Sequence, residues 1–232
     1  MESPDKPYAR FRDRTHAGYE LAADLKGFLQ GEEALVLAIP PDGVPVASAV
    51  ATELNAPFDI ITSRRIVPPG NKEETLGAVT PDRTLVVNRV LVDQLNLSDS
   101  DVEKLSIPVW ADAQRLTQRY RSGRPYPTLS ARTVVIVDDG ITTGYTMMAA
   151  AISARKMEPS RIVVAVPVAS IEAIERLGPY VDDVLSLEIS TSDQFSVPGH
   201  YVHYEPMSDQ EVVWMLERGW AERPPHGYAE TF

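Results

Sequence analysis

Residues 133–148 read TVVIVDDGITTGYTMM, and no other stretch of the chain restricts the fold so tightly. Its first five residues form a β-branched run of the kind found in strands buried on both faces, which occur in parallel sheets covered by helices. Two acids and a glycine end the run at once, and a helical pattern occupies 145–157, closed by Glu158-Pro159. The segment therefore predicts a strand, a tight loop and a helix. In an open α/β sheet ligands bind beyond the carboxyl ends of the strands, so the loop DDGITTGYT at 138–146 is the first place to look for chemistry.

The rest of the chain keeps the same rhythm. Short apolar runs at 34–39, 58–62, 161–168 and 184–189 read as further strands. Helical patterns fall at 10–30, 44–55, 98–121 and 170–177, with Ser98 and Ser170 placed as N-caps. Alternation of this kind predicts a doubly wound, mainly parallel α/β sheet with helices on both faces. Residues 76–80 and 84–87 read as a pair of short strands joined by PDR, and 63–75, with its prolines and charges, as a long loop. The predicted organisation is one domain over 1–232. Its core spans about 30–189, the N-terminal helix 10–30 and the segment 190–217 form a small cap, and 218–232 is a flexible tail.

Composition removes several classes of function. The net charge of −11 repels phosphate backbones, so no nucleic-acid partner is expected, although one small anion in a local pocket remains compatible with it. There is no cysteine, which excludes disulfides, thiolate zinc sites and thiol nucleophiles. The longest apolar stretches are too short to span a bilayer, and MESPDKPYARFRDR lacks the apolar core of a secretory signal. A cytoplasmic protein with no membrane partner is the expectation.

The loop itself points to a sugar phosphate. A helix N-terminus offers free N–H groups and the positive end of a dipole. Gly140 and Gly144 let the backbone wrap an anion, and Thr142, Thr143 and Thr146 add hydroxyls. Two adjacent acids beside a phosphate site need something to separate the charges. A ribose does so, its hydroxyls donating to Asp138 and Asp139 while its phosphate lies deeper in the loop. The plain alternative, a strand–helix turn capped by one aspartate, leaves the second acid and the threonines unexplained.

VVIVDDGITTGYT resembles the motif of the type I phosphoribosyltransferases: an apolar strand, two acids, two residues, then a Thr-Gly loop and a helix. FRDRTHAG at 11–18, PPDGVPVA at 40–47, SRRIVPPGN at 63–71, LGAV at 76–79, YRSGRPYP at 120–127 and RIVVAVPVAS at 161–170 extend the likeness to a poorly characterised branch of predicted phosphoribosyltransferases. The resemblance implies Mg²⁺-dependent transfer of a 5-phosphoribosyl group from 5-phosphoribosyl-1-pyrophosphate (PRPP) to a nitrogenous base, with release of pyrophosphate. The ion would be bound through PRPP, with no direct protein metal site. Asp138 and Asp139 would be the catalytic pair that holds the ribose. Gly140, Ile141, Thr142, Thr143, Gly144, Tyr145 and Thr146 would hold the 5-phosphate. Pro41, Asp42, Gly43 and Val44 would form the pyrophosphate loop through backbone N–H groups, and Arg64 and Arg65 would supply cations. Segment 66–90 would close as a lid, and Tyr201 or His200 would stack on the base. A homodimer is compatible with the resemblance.

Two positions depart from the family pattern. Close relatives carry Arg-Gly-Gly where this chain has Pro41-Asp42-Gly43, so a cation is missing and an acid has arrived. Asp42 either reaches pyrophosphate through a metal ion or opposes its binding. Thr142 stands where hypoxanthine-type enzymes have an aspartate, which argues against a 6-oxopurine acceptor. Two other functions compete with the transferase. A PRPP- or nucleotide-sensing module on the same fold would explain the altered loop. A dinucleotide binder ranks last, because no G-x-G-x-x-G follows the first strand. Outside the motif, Arg119, Tyr120, Arg121 and Arg124 read either as a helix end that complements its dipole or as an anion contact.

Overall fold

The computed structural model describes residues 9–71, 73–192 and 194–223. Its centre is a sheet of five parallel strands in the order β2-β1-β6-β7-β8, formed by β1 (Ala34–Ala38), β2 (Phe58–Ile60), β6 (Thr133–Val137), β7 (Arg161–Ser170) and β8 (Asp183–Ser190). Because side chains alternate along a strand, each continuous apolar run splits between two cores. Leu35, Leu37, Val134, Ile136, Ile162 and Val164 face α5 (Tyr145–Arg155), where Met147 and Met148 pack as the sequence suggests. Val36, Ala38, Val135, Val137, Val163 and Ala165 face α1 (Arg14–Leu29) and α2 (Gly43–Leu54). The helix α6 (Ile171–Leu177), capped by Ser170, connects β7 to β8.

The strand order reverses direction between β1 and β6. From β1 the chain moves outward to β2, and from β6 it moves outward the other way through β7 and β8. The loops after β1 and β6 therefore diverge and leave a crevice at this switch point. The two loops singled out in the sequence, 40–43 and 138–144, are the ones that flank it.

An insertion between β2 and β6 holds a second, antiparallel sheet of β3 (Arg64–Ile66), β4 (Gly77–Val79) and β5 (Leu85–Val87), followed by α3 (Arg89–Gln94) and α4 (Asp99–Arg121). The β4–β5 pair and the capped start of α4 match expectation, the latter through a capping box of Ser98 and Asp101. Segment 63–75 is not all loop. Ile66 is buried and pairs with Gly77, and it joins Leu76, Val79, Leu91, Val92 and Val102 in a small core. A single buried side chain, that of Ile66, anchors a strand that pattern alone does not reveal.

Two boundaries need correction. The N-terminal helix is not a cap: Leu21, Ala22, Leu25 and Leu29 belong to the main core beside Val46, Ala47 and Val50. Nor is 218–232 a flexible tail throughout. Helix α7 (Asp209–Glu222) opens with a capping box of Ser208 and Glu211 and runs through position 222. Val212, Leu216, Gly219 and Trp220 form its buried stripe, and a Cβ at Gly219 would lie 2.7 Å from Phe58 Cδ1. Residues 224–232 lie outside the described residues.

Candidate active site

The loop after β6 begins with two acids in different surroundings. Asp138 is partly exposed, and its Oδ1 accepts the Asp139 N–H at 2.9 Å. Asp139 is 5% exposed. Its Oδ2 accepts from Arg14 Nε at 2.9 Å and from the Tyr204 hydroxyl at 2.8 Å, while its carbonyl accepts from the Tyr201 hydroxyl at 2.6 Å. Desolvation raises the pKa of both carboxyls. The charge of Asp139 adds to the rise at Asp138, and that of Asp42 to the rise at Asp139, where Arg14 opposes it. Asp138 thus keeps an acceptor surface for a ligand hydroxyl, whereas the carboxylate of Asp139 is bound within the protein.

The next residues are fastened to the neighbouring strand. Ile141 N–H donates to Val168 O at 2.9 Å, and Ser170 N–H returns a bond to Ile141 O at 2.9 Å. The Thr142 carbonyl accepts from Ser170 Oγ at 2.6 Å, and the Thr143 carbonyl accepts from Arg176. With these carbonyls turned back into the protein, the exposed side chains of Thr142 and Thr143 stand free at the mouth of the loop. Gly144, at φ +80°, is in the left-handed region that L side chains adopt only with strain, and it starts α5 without a side-chain cap. The first amides of α5, from Tyr145 to Met147, have no carbonyl one turn back within the helix. Ile141 and Tyr145 are buried in the core, and because the backbone of Ile141 is already paired with β7, only the Tyr145 amide of the two is left for a ligand; Thr146 is half-buried.

The loop after β1 lies against this one. Ile39 N–H donates to Val137 O at 2.9 Å, and a cis peptide joins Pro40 to Pro41. A Cβ at Gly43 would lie 2.8 Å from Val137 O and 3.0 Å from Asp138 Oδ1, so the approach of the two loops requires glycine. The expected anion contacts through the backbone are reduced. Gly43 N–H is used by Ile39 O at 3.0 Å and Val44 N–H by Pro41 O at 3.2 Å. Pro41 has no N–H, which leaves the Asp42 amide.

The residue that sequence reasoning missed is Arg14. It is 6% exposed at the start of α1, which Asp13 caps by accepting His16 N–H at 2.8 Å. Besides bonding Asp139, it donates from Nη1 to Glu205 O at 2.7 Å and from Nη2 to Asp42 Oδ1 at 2.7 Å, and its guanidinium lies 3.8 Å from the Tyr204 ring centroid. Burial works against its charge, but Asp139 and Asp42 outweigh that and hold its pKa above the usual arginine value. One signal was available: a cation in the first turn opposes the helix dipole unless acids compensate it.

Other expected site residues fall elsewhere. Arg64 is ion-paired to Asp112 of α4 at 3.2 Å, and Arg65, the next residue along β3, points to the opposite face of the small sheet and is exposed. They cannot both face the crevice. Tyr201 is fully buried between Phe11 and Tyr204, with ring centroids at 5.6 and 5.4 Å, and cannot stack on a base. His200 packs against Phe195 with Nδ1 3.4 Å from Glu188. Arg121 and Arg119 are not anion contacts but partners of Asp59 and Asp209. A cavity of about 610 Å³ lies at the opposite end of the strands around Lys26, Ala34, Pro57 and Arg132 and shares no residue with the crevice.

Fold and site together define a doubly wound α/β protein with a crevice at its switch point, flanked by the loops after β1 and β6. A phosphoribosyl transferase domain model matches residues 13–203, and the chain belongs to that family. Two sequences from Mycobacterium tuberculosis strains, each named "Putative phosphoribosyl transferase", are 36% identical over 208 residues. These matches cover 90% of this chain but 46% of theirs, so the chain spans about half the length of these relatives. The crystal structure of TT1426 from Thermus thermophilus is 37% identical with a TM-score of 0.73, covering 90% of this chain and 98% of that one.

Proposed function

We propose that this chain transfers the 5-phosphoribosyl group of PRPP to a nitrogenous base, in the cytoplasm. The observation that carries the reading is the meeting of the two loops at the switch point. One half offers the amides at the start of α5 and the hydroxyls of Thr142 and Thr143 to a phosphate. The other half places Asp42 and Gly43 against Asp138, where the sugar's reactive end would lie.

In this reading the 5-phosphate lies on the N-terminus of α5, and Asp138 accepts a ribose hydroxyl. Asp139 does not contact the sugar; it holds Arg14 and Tyr204 in place. The C1–oxygen bond to pyrophosphate breaks with its electron pair leaving on that oxygen. The base nitrogen forms the new bond to C1 and releases its proton. The protein contributes positioning and a charged wall for the departing anion.

The oxygen donors of Asp138 suit Mg²⁺, which takes one or two carboxylates and completes its shell from substrate phosphates and water. In this reading the ion is carried in by PRPP. When bound, Mg²⁺ would offset the negative charge of the pyrophosphate. No helix of the described residues is long and apolar enough to cross a membrane.

Calorimetric titration of PRPP with and without Mg²⁺, followed by a pyrophosphate-release assay over a panel of bases, tests the proposal. Mg²⁺-dependent binding and turnover with one base are expected. Binding without turnover on any base would favour the sensing module, which the acid in the loop after β1 motivates. No binding at all would remove the phosphoribosyl reading.

A further inference from the structure

Two touching loops bring Asp42, Asp138 and Asp139 to one crevice, and a single buried cation, Arg14, bridges two of them. An unrelieved group of three acids would repel pyrophosphate. The guanidinium has three hydrogen-bonding directions here. Nε is fixed by the buried Asp139, and Nη1 by the Glu205 carbonyl. The plane is further held on Tyr204. Nη1 holds a backbone carbonyl, fixed with its chain, whereas Nη2 holds a side chain that is 40% exposed and able to turn into solvent, that of Asp42. That bond can be exchanged without moving the arginine, and Asp42 is part of the loop that meets Asp138.

We infer that Arg14 supplies, from α1, the positive charge of the pyrophosphate subsite, and that Asp42 is its exchangeable counter-ion at rest rather than a metal ligand. An arriving pyrophosphate oxygen takes the place of Asp42 Oδ1 on Nη2. Asp139 and Tyr204 keep the guanidinium in position during the exchange. Asp42 then weakens resting affinity by competing for Arg14, and it shields a buried cation when the crevice holds no anion. This rests on the phosphoribosyl reading and assigns its anion-binding residue.

The test is calorimetric titration of PRPP in excess Mg²⁺ into wild type, Asp42→Asn, Arg14→Met and the double variant, with a matched titration of pyrophosphate. Removing the competing charge in Asp42→Asn tightens both ligands by about tenfold, the effect of one nearby like charge in a partly solvated site. Arg14→Met weakens both by about tenfold, and adding Asp42→Asn to it recovers part of the loss, since the uncompensated acid is then gone. Weaker PRPP binding by Asp42→Asn would show that Asp42 holds the ion, and unchanged binding would show that it does not compete; either overturns the inference. If Arg14→Met does not fold, Asp42→Asn alone decides, because Asp42 is half-exposed. Wild type that binds no PRPP removes the parent reading as well, an outcome separate from wild type that binds normally and an Asp42→Asn variant that binds no better.

Discussion

Arg14 Nε and Asp139 Oδ2 lie 2.9 Å apart, joined across 125 positions of sequence, and both side chains are almost wholly buried. The pair links the start of α1 to the end of β6 and separates the roles of two adjacent acids. Asp139 is structural, and Asp138 is free to meet a ligand.

That separation predicts opposite behaviour for substitutions at the two acids. Asp138→Asn removes a like charge from a desolvated site, so it should leave the melting temperature equal or higher at pH 7 while abolishing PRPP binding. Asp139→Ala removes the acceptor shared by the buried Arg14 Nε and the Tyr204 hydroxyl, and it should destabilise the protein by about 3–5 kcal/mol. Paired denaturant titrations and PRPP calorimetry measure both; equal effects from the two variants would remove the distinction.

The same acids predict a pH dependence. Both folded-state pKa values are raised, so the folded protein holds protons that the unfolded chain has released. Their contribution to stability is full below the ordinary aspartate pKa and is lost as pH rises through the raised values. Stability measured by urea titration from pH 4 upward should fall less in Asp138→Asn than in wild type.

A second buried pair is a sharper stability test. Arg121 donates to Asp59 on β2, to the carbonyls of Arg124 and Pro125, and lies over the Tyr126 ring at 4.0 Å. Burial raises the Asp59 pKa to about 6 despite the nearby guanidinium. Asp59→Ala leaves a buried cation without its counter-ion and should cost about 3–5 kcal/mol. A loss below about 1 kcal/mol in a denaturant melt, the level of an exposed pair, would mean that the carbonyls alone suffice for Arg121.

Gly144→Ala should cost about 1–2 kcal/mol, because the residue has a φ of +80°. Relief of that strain would shift the first amides of α5, so affinity for inorganic phosphate and PRPP should fall together with stability. Thr143→Val, at an exposed position, should lower affinity with no change in melting temperature. Isothermal calorimetry beside thermal melts separates the two cases.

Helix α7 predicts that the C-terminal segment is needed for folding. Trp220 is 4% exposed, and Gly219 lies against Phe58. Trp220→Ala should cost about 3–5 kcal/mol, the usual range for removing a buried aromatic side chain. A chain truncated after position 217 that melts like wild type would contradict this packing.

The sequence by itself determined the elements with a local cause. Continuous apolar runs, β-branched in β6 and β7, specify β1, β6 and β7, because strands buried on both faces need no polar side. Ser98 and Ser170 mark helix starts, and DDGITTGYT specifies the loop at the end of β6. Helix α7 was harder to see, since its buried stripe at Val212, Leu216, Gly219 and Trp220 includes a glycine whose contribution depends on Phe58 lying opposite.

The tertiary structure decided which side chains meet. The strand order placed the loops after β1 and β6 side by side. Only then could Arg14 reach both Asp42 and Asp139, and only then did Tyr204 join them while Tyr201 turned into the core. Arg64 and Arg65 show the converse: their charges suit an anion, but pairing in β3 directs them to opposite sides and gives one to Asp112. Periodicity records whether a residue is buried, because burial repeats along an element. An ion pair between distant segments leaves no such repeat, since it depends on how the elements are arranged in space.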